Sequence, residues 1–173
     1  MSKWGFGFDI QMKGQRGFLQ STLFPEFPMN KITTFLSYDA NKAEEAARYY
    51  LSVFENGTIT STTPGPGGSV LAVTFELFGQ SFVAMNGGPS FSFSNGVSLF
   101  VSCEDQAELD RYWDKLAKDG KEIQCGWITD KFGVVWQIIP RELPQLLTNG
   151  NAVAAMMKMK KLDIAELKKA RDA

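Results

Sequence analysis

The chain has 173 residues, 44% hydrophobic and 21% charged, with a formal net charge of −1. That balance excludes a disordered chain and leaves no electrostatic footprint for nucleic acid or an anionic membrane. No apolar run reaches the ~18 residues that span a bilayer, and the absence of histidine removes Ser-His-Asp and Cys-His hydrolases, HExxH metalloproteases and His-ligated metal sites.

Residues 1–28 stand apart, with scattered glycines and the aromatics Trp4, Phe6, Phe8, Phe18, Phe24 and Phe27. They lack the continuous apolar stretch of a signal peptide, and Met29 looks like a second natural start. They are read as an N-terminal extension that docks through its aromatics. From Ile32 the pattern becomes regular. Residues 32–38 are β-rich, and Asp39 or Asn41 is placed to cap the helix that follows. Ala43, Ala46, Ala47, Tyr50, Leu51 and Phe54 form one apolar helical stripe, ended by Asn56-Gly57. Strands are predicted over 58–62, 69–77 and 80–85, with turns at Pro64-Gly65-Pro66-Gly67-Gly68 and Phe78-Gly79.

The order then repeats. A strand over 96–103 leads into Asp105-Gln106-Ala107-Glu108, a capping box. Leu109, Tyr112, Trp113, Leu116 and Ala117 make a second stripe that superposes at constant offset on Ala43, Ala46, Ala47, Tyr50 and Leu51. Gly120 is the expected C-cap, and strands follow over 122–127 and 134–139. Leu77-Phe78-Gly79 before one last strand parallels Lys131-Phe132-Gly133 before the other. This internal duplication gives an α+β fold of two βαβββ repeats, each a curved mixed sheet with a helix on one face, arranged around a cleft. The divisions are residues 1–28 (extension), 29–90 (first repeat), 91–140 (second repeat) and 141–173 (helical tail). The tail holds short helices over 141–147 and 151–161 and a final turn capped at Asp163. Cys103 and Cys125 match neither a zinc site nor a secreted disulfide framework, so two reduced thiols in a cytoplasmic protein are expected, each a buried filler.

The duplicated order resembles the vicinal oxygen chelate (glyoxalase/bleomycin-resistance) superfamily, and its PhnB-like branch in particular, which carries the label 3-demethylubiquinone-9 3-methyltransferase. The residues that carry the resemblance are Ala46-Ala47-Arg48-Tyr49-Tyr50, Met85-Asn86-Gly87-Gly88-Pro89 with Phe91, Cys125-Gly126-Trp127, and Asp130-Lys131-Phe132-Gly133-Val134-Val135-Trp136-Gln137-Ile138. The resemblance implies a homodimer with a small-molecule cleft in each pair of repeats. It also implies four inward strand positions that hold His or Glu in metal-dependent members. Those positions fall on Thr34 (with Phe35 the alternative one residue along), Val83, Ser98 and Gln137. A quartet of hydroxyls, amide and alkyl does not hold a divalent transition metal tightly, so no metal is expected. The methyltransferase label also lacks its residues. A nucleotide-type cofactor calls for a Gly-rich turn between strand and helix, whereas residues 64–68 precede a strand and 86–89 a loop. No cofactor is therefore expected.

Strand alternation turns Val135, Gln137 and Ile139 inward together on the last strand, and Ser98, Phe100 and Ser102 inward together on the strand that opens the second repeat. With Thr34, Leu36, Asn86, Ser90, Phe91 and Trp127 these define an aromatic, weakly polar ligand pocket, and Trp136 is assigned to the core. The expected function is binding of an uncharged or aromatic small molecule by a cytoplasmic homodimer, with neither nucleic acid nor membrane as partner. The alternatives are an enzyme of the same superfamily acting through non-His residues such as Asp130, Glu76 or Tyr38, and a dimeric interaction protein using the N-terminal aromatics and the Met-rich tail.

Overall fold

The computed structural model describes residues 31–39, 41–88 and 91–173. The expected docking of residues 1–28, and Ser90 as a ligand residue, lie outside that range. β1 (Thr34–Tyr38), α1 (Ala43–Phe54), β2 (Gly57–Pro64), β3 (Val70–Leu77) and β4 (Gln80–Asn86) make the first repeat. β5 (Leu99–Cys103), α2 (Gln106–Ala117), β6 (Lys121–Glu122), β7 (Trp127–Thr129) and β8 (Val135–Pro140) make the second. Each repeat forms a four-stranded mixed sheet, ordered β1-β4-β3-β2 and β5-β8-β7-β6. In both, the first strand pairs parallel with the last and the other neighbours are antiparallel. The tail carries α3 (Leu143–Leu146), α4 (Gly150–Met156) and α5 (Ile164–Arg171). Among the described residues no helix is long and apolar enough to cross a membrane.

Both helical stripes face the core. α1 buries Ala43, Ala46, Ala47 and Tyr50, and α2 buries Leu109, Tyr112, Trp113 and Leu116, the same four positions in each repeat. The two repeats share one hydrophobic core. Phe54 joins them, its ring centroid 5.1 Å from Tyr112 and 4.9 Å from Trp136. Burial of each such side chain contributes about 1.5–3 kcal/mol. The helices are also tied through their ends. Tyr49 donates to the Lys115 carbonyl at 3.0 Å, and Lys115 Nζ donates to the Ser52 carbonyl at 2.8 Å. That ammonium satisfies an orphan carbonyl of α1 and suits the negative end of its dipole.

A second tie is polar. Asp130 is 4% exposed, and its carboxylate accepts the N–H groups of Phe132 and Val134 and the Trp136 indole at 2.8–3.0 Å. Tyr50 approaches the same carboxylate, and its hydroxyl lies 3.1 Å from that of Tyr38. The chain Tyr38–Tyr50–Asp130–Trp136 therefore runs from β1 and α1 of one repeat to β8 of the other.

Four local expectations are corrected. The strand expected over 122–127 divides into β6 and β7, because Cys125 (φ 60) and Gly126 (φ 81) both lie in the left-handed region. A Cβ at Gly126 would stand 2.7 Å from Ile139 Cδ1 and 3.0 Å from the Ile138 carbonyl, so glycine is required there. Neither Asp39 nor Asn41 caps α1; Lys42 is its N-cap residue and makes no side-chain cap bond. α4 ends at Met156, after which Cys125 and Gly126 donate backbone bonds to the Met159 and Lys160 carbonyls and hold the tail against the second repeat. Beyond it, α5 is a full helix rather than one turn, capped by Asp163, whose Oδ1 accepts the Glu166 N–H at 3.0 Å.

Candidate functional site

In the second repeat the face of the sheet turned away from α2 carries a defined polar–aromatic row. Phe100, Gln137 and Trp127 are register partners on the adjacent strands β5, β8 and β7, so their side chains share a face. Gln137 Nε2 donates to Ser98 Oγ at 2.8 Å. The four expected ligand residues of this repeat, Ser98, Phe100, Trp127 and Gln137, are thus brought together. Gln137, Trp127 and Ser98 are partly exposed, and Phe100 is 62% exposed. The Ser98 bond uses one of the four hydrogen-bonding sites of the Gln137 amide. The other three are not used by the described residues. Trp136 faces the opposite way and is core, as the alternation predicts, at 2% exposure.

The corresponding row of the first repeat is Phe35–Val83–Thr74–Ser61 across β1, β4, β3 and β2. Here the sequence reading assigns β1 the opposite phase. Leu36 belongs to the core with Tyr38, and Thr34 pairs with the core residue Phe82, so both lie on the helix-covered side. Phe35, not Thr34, stands beside Val83. Asn86 is also on the helix side, and its amide is committed: Oδ1 accepts the Ala43 N–H at 2.9 Å and Nδ2 donates to the Val70 carbonyl at 2.8 Å. Phe91 packs its ring on Gly87, where a Cβ would approach to 2.7 Å. Thr34, Leu36, Asn86 and Phe91 are therefore not gathered with the Gln137 row.

Ser61 and Thr74 were not among the expected site residues. Both hydroxyls are buried and neither has a hydrogen-bond partner among the described residues. A signal for them exists in the sequence. The two-residue turn Phe78-Gly79 (φ 49 and 78) fixes the register of β3 on β4 and so sets Thr74 beside Val83.

The donor chemistry does not fit a divalent transition metal. The positions corresponding to metal ligands hold Phe35, Val83, Ser98 and Gln137, and Ser98 and Gln137 are bonded to each other. Among the described residues no group of three or more Cys, Asp or Glu is placed to hold an ion. Nor do the Gly-rich segments fit a nucleotide-type cofactor: residues 66–68 form a short 3-10 turn inside the β2–β3 hairpin. Of the alternative catalytic residues, Tyr38 and Asp130 are bound in the buried network, and burial pushes the Tyr38 phenol up from its ordinary value. The Cys103 thiol, fully buried, is pushed up to about 12 by desolvation, which suits a filler rather than a nucleophile.

The profile of the family described as 3-demethylubiquinone-9 3-methyltransferase matches residues 30–139. A solved PhnB protein from Bacillus cereus is 36% identical, with a TM-score of 0.60, over 64% of this chain and 99% of that one. A protein from Pseudomonas aeruginosa, 20% identical over 62% of this chain and 94% of its own, has the same fold at a TM-score of 0.50. A glyoxalase/bleomycin resistance protein from Albidiferax ferrireducens is 13% identical over 60% of this chain and 93% of that one, at 0.41. No curated protein matches the chain.

Proposed function

The chain belongs to the PhnB-like 3-demethylubiquinone-9 3-methyltransferase family of the vicinal oxygen chelate superfamily, and on that premise we propose that it binds a small uncharged or aromatic molecule, without a metal, on the Gln137 row. The observation that carries this reading is the Gln137–Ser98 hydrogen bond set between the register partners Phe100 and Trp127. Aromatic surface supplies affinity for a flat apolar body, and a fixed neutral amide supplies direction to one or two hydrogen bonds. Neither an amide nor the hydroxyl bonded to it is a base at neutral pH, so binding is favoured over the glyoxalase-type proton transfer of metal-dependent relatives.

The working unit in this reading is a homodimer. β1 is an edge strand of its sheet and presents a large aromatic, Phe35, at 50% exposure. Such an edge invites pairing with a second copy. The expected setting is the cytoplasm, with Cys103 and Cys125 reduced.

Native mass spectrometry on the untreated protein tests all of this together. A metal-free dimer carrying an extra small-molecule mass supports the reading. A stoichiometric metal sinks the metal-free assignment, and a monomer sinks the dimer. Truncation at Met29 then separates the sheets from the extension: an unchanged subunit number assigns assembly to residues 29–173.

A further inference from the structure

A cavity of about 410 Å³ opens at the junction of the two repeats. It lies around the edge strand β5 and takes lining from both faces of that strand, Phe100 included, while Gln137, Trp127 and Ser98 do not line it. Its walls are aromatic. Phe54 and Phe82 come from the first repeat, Tyr112 and Trp136 from the second, and Phe78 and Phe100 stand at 52% and 62% exposure. Among the described residues its charged lining groups are two carboxylates, Glu104 and Glu108.

We propose that this cavity binds an organic cation, an amine or quaternary ammonium carried on an apolar or aromatic body. The negative faces of the rings attract a cation, and two carboxylates beside them compensate its charge as it leaves water. Among the described residues no lysine or arginine lines the cavity, and Arg111 and Arg141 pair with Glu108 and Glu104 from outside it. The protein already makes this kind of contact there, with Arg111 Cζ 5.2 Å from the Tyr112 ring centroid. Glu108 accepts the Tyr112 hydroxyl at 2.8 Å and the Glu104 N–H at 2.6 Å and pairs with Arg111 at 3.9 Å, which fixes its carboxylate and leaves lone pairs for a ligand. Glu104 pairs with Arg141 on the surface, both side chains about two-thirds exposed, and such a pair exchanges at little cost. The Phe78 ring lies 6.2 Å from that of Phe54 at the cavity. An anion is repelled by the two carboxylates, and a neutral body gains only the apolar walls.

The test is calorimetric titration of the full chain with (4-hydroxyphenyl)trimethylammonium and with its uncharged isostere 4-tert-butylphenol. The expected result is at least tenfold tighter binding of the cation. The double substitution Glu104→Gln and Glu108→Gln is expected to weaken the cation at least tenfold and leave the phenol unchanged, while Gln137→Leu leaves the cation unchanged. Equal affinity for the two probes, or no saturable cation binding, overturns the proposal, and this comparison on the unsubstituted protein decides even if the double variant fails to fold. Loss of cation binding in Gln137→Leu overturns it as well, by moving the cation to the sheet face.

Discussion

Asn86, the last residue of β4, serves as the cap of α1 from 43 residues away: its Oδ1 accepts the Ala43 N–H at 2.9 Å. Its Nδ2 reaches the Val70 carbonyl at 2.8 Å, so one amide joins the helix, β4 and the start of β3. Lys42 makes no side-chain cap bond, so this long-range bond takes the cap's place. Asn86→Ala removes a cap worth about 1 kcal/mol and a partly buried bond worth about the same. A loss near 2 kcal/mol in urea denaturation is the expected outcome. A change under about 0.5 kcal/mol, the range of a neutral surface substitution, assigns Asn86 no capping role and returns its amide to the list of candidate ligand groups.

The duplication, both helical stripes, the core placement of Trp136 and the second-repeat row were legible because each rests on local periodicity. The phase of β1 was not. β3 and β4 are joined by a two-residue turn that dictates their register, but β1 pairs parallel with β4 across a long crossover, and no turn chemistry sets a parallel register. Thr34-Phe35-Leu36-Ser37-Tyr38 alternates without declaring which side is wet, because both phases contain an aromatic. The role of Asn86 was hidden for a related reason. A cap supplied by another strand leaves no short-range signature. The division of β6 from β7 depends on Cys125 adopting a left-handed conformation, which its residue type does not announce.

Asp130 gives a pH dependence with a definite sign. Burial raises its carboxyl above the ordinary 3.8, opposed by the bonds from Trp136, Tyr50 and the Phe132 and Val134 N–H groups. A raised native value means that the folded protein holds this proton more tightly than the unfolded chain. The contribution of Asp130 to stability is therefore greatest below its unfolded value and falls as pH rises through the folded value. Asp130→Asn keeps an acceptor for the backbone but turns an N–H toward the Trp136 indole donor. A loss of about 3 kcal/mol is expected at pH 7. The gap between the two proteins should widen in denaturant titrations as pH is lowered toward 4. A gap that narrows there contradicts the raised value.

Thr74 should show the opposite response to substitution. Its hydroxyl is buried without a partner among the described residues, and the residue is 4% exposed. An orphaned polar group of this kind costs about 1–3 kcal/mol. Thr74→Val preserves shape and is expected to raise stability by about 1 kcal/mol, or about 2–4 °C in Tm for a chain of this size. Destabilisation by 1 kcal/mol or more would mean that the hydroxyl has a partner in solution.

Gln137→Leu separates binding from folding. Leucine nearly conserves volume and keeps the row filled, but it removes the amide and leaves Ser98 Oγ without its donor. Ser98 and Gln137 are both partly exposed, so water can replace the lost bond, and stability should change by less than about 1 kcal/mol. Ligand recognition should change far more. A directed hydrogen bond in a desolvated site contributes about 1.5–3 kcal/mol when it is lost to an unpaired ligand group, which is ten- to a hundredfold in affinity. The small molecule retained by the unsubstituted protein should therefore be absent from Gln137→Leu in native mass spectra recorded under the same conditions, with the subunit number unchanged. Retention of the same mass at the same occupancy removes the Gln137 amide from the binding site, because a ligand that does not distinguish leucine from glutamine there is not held by it.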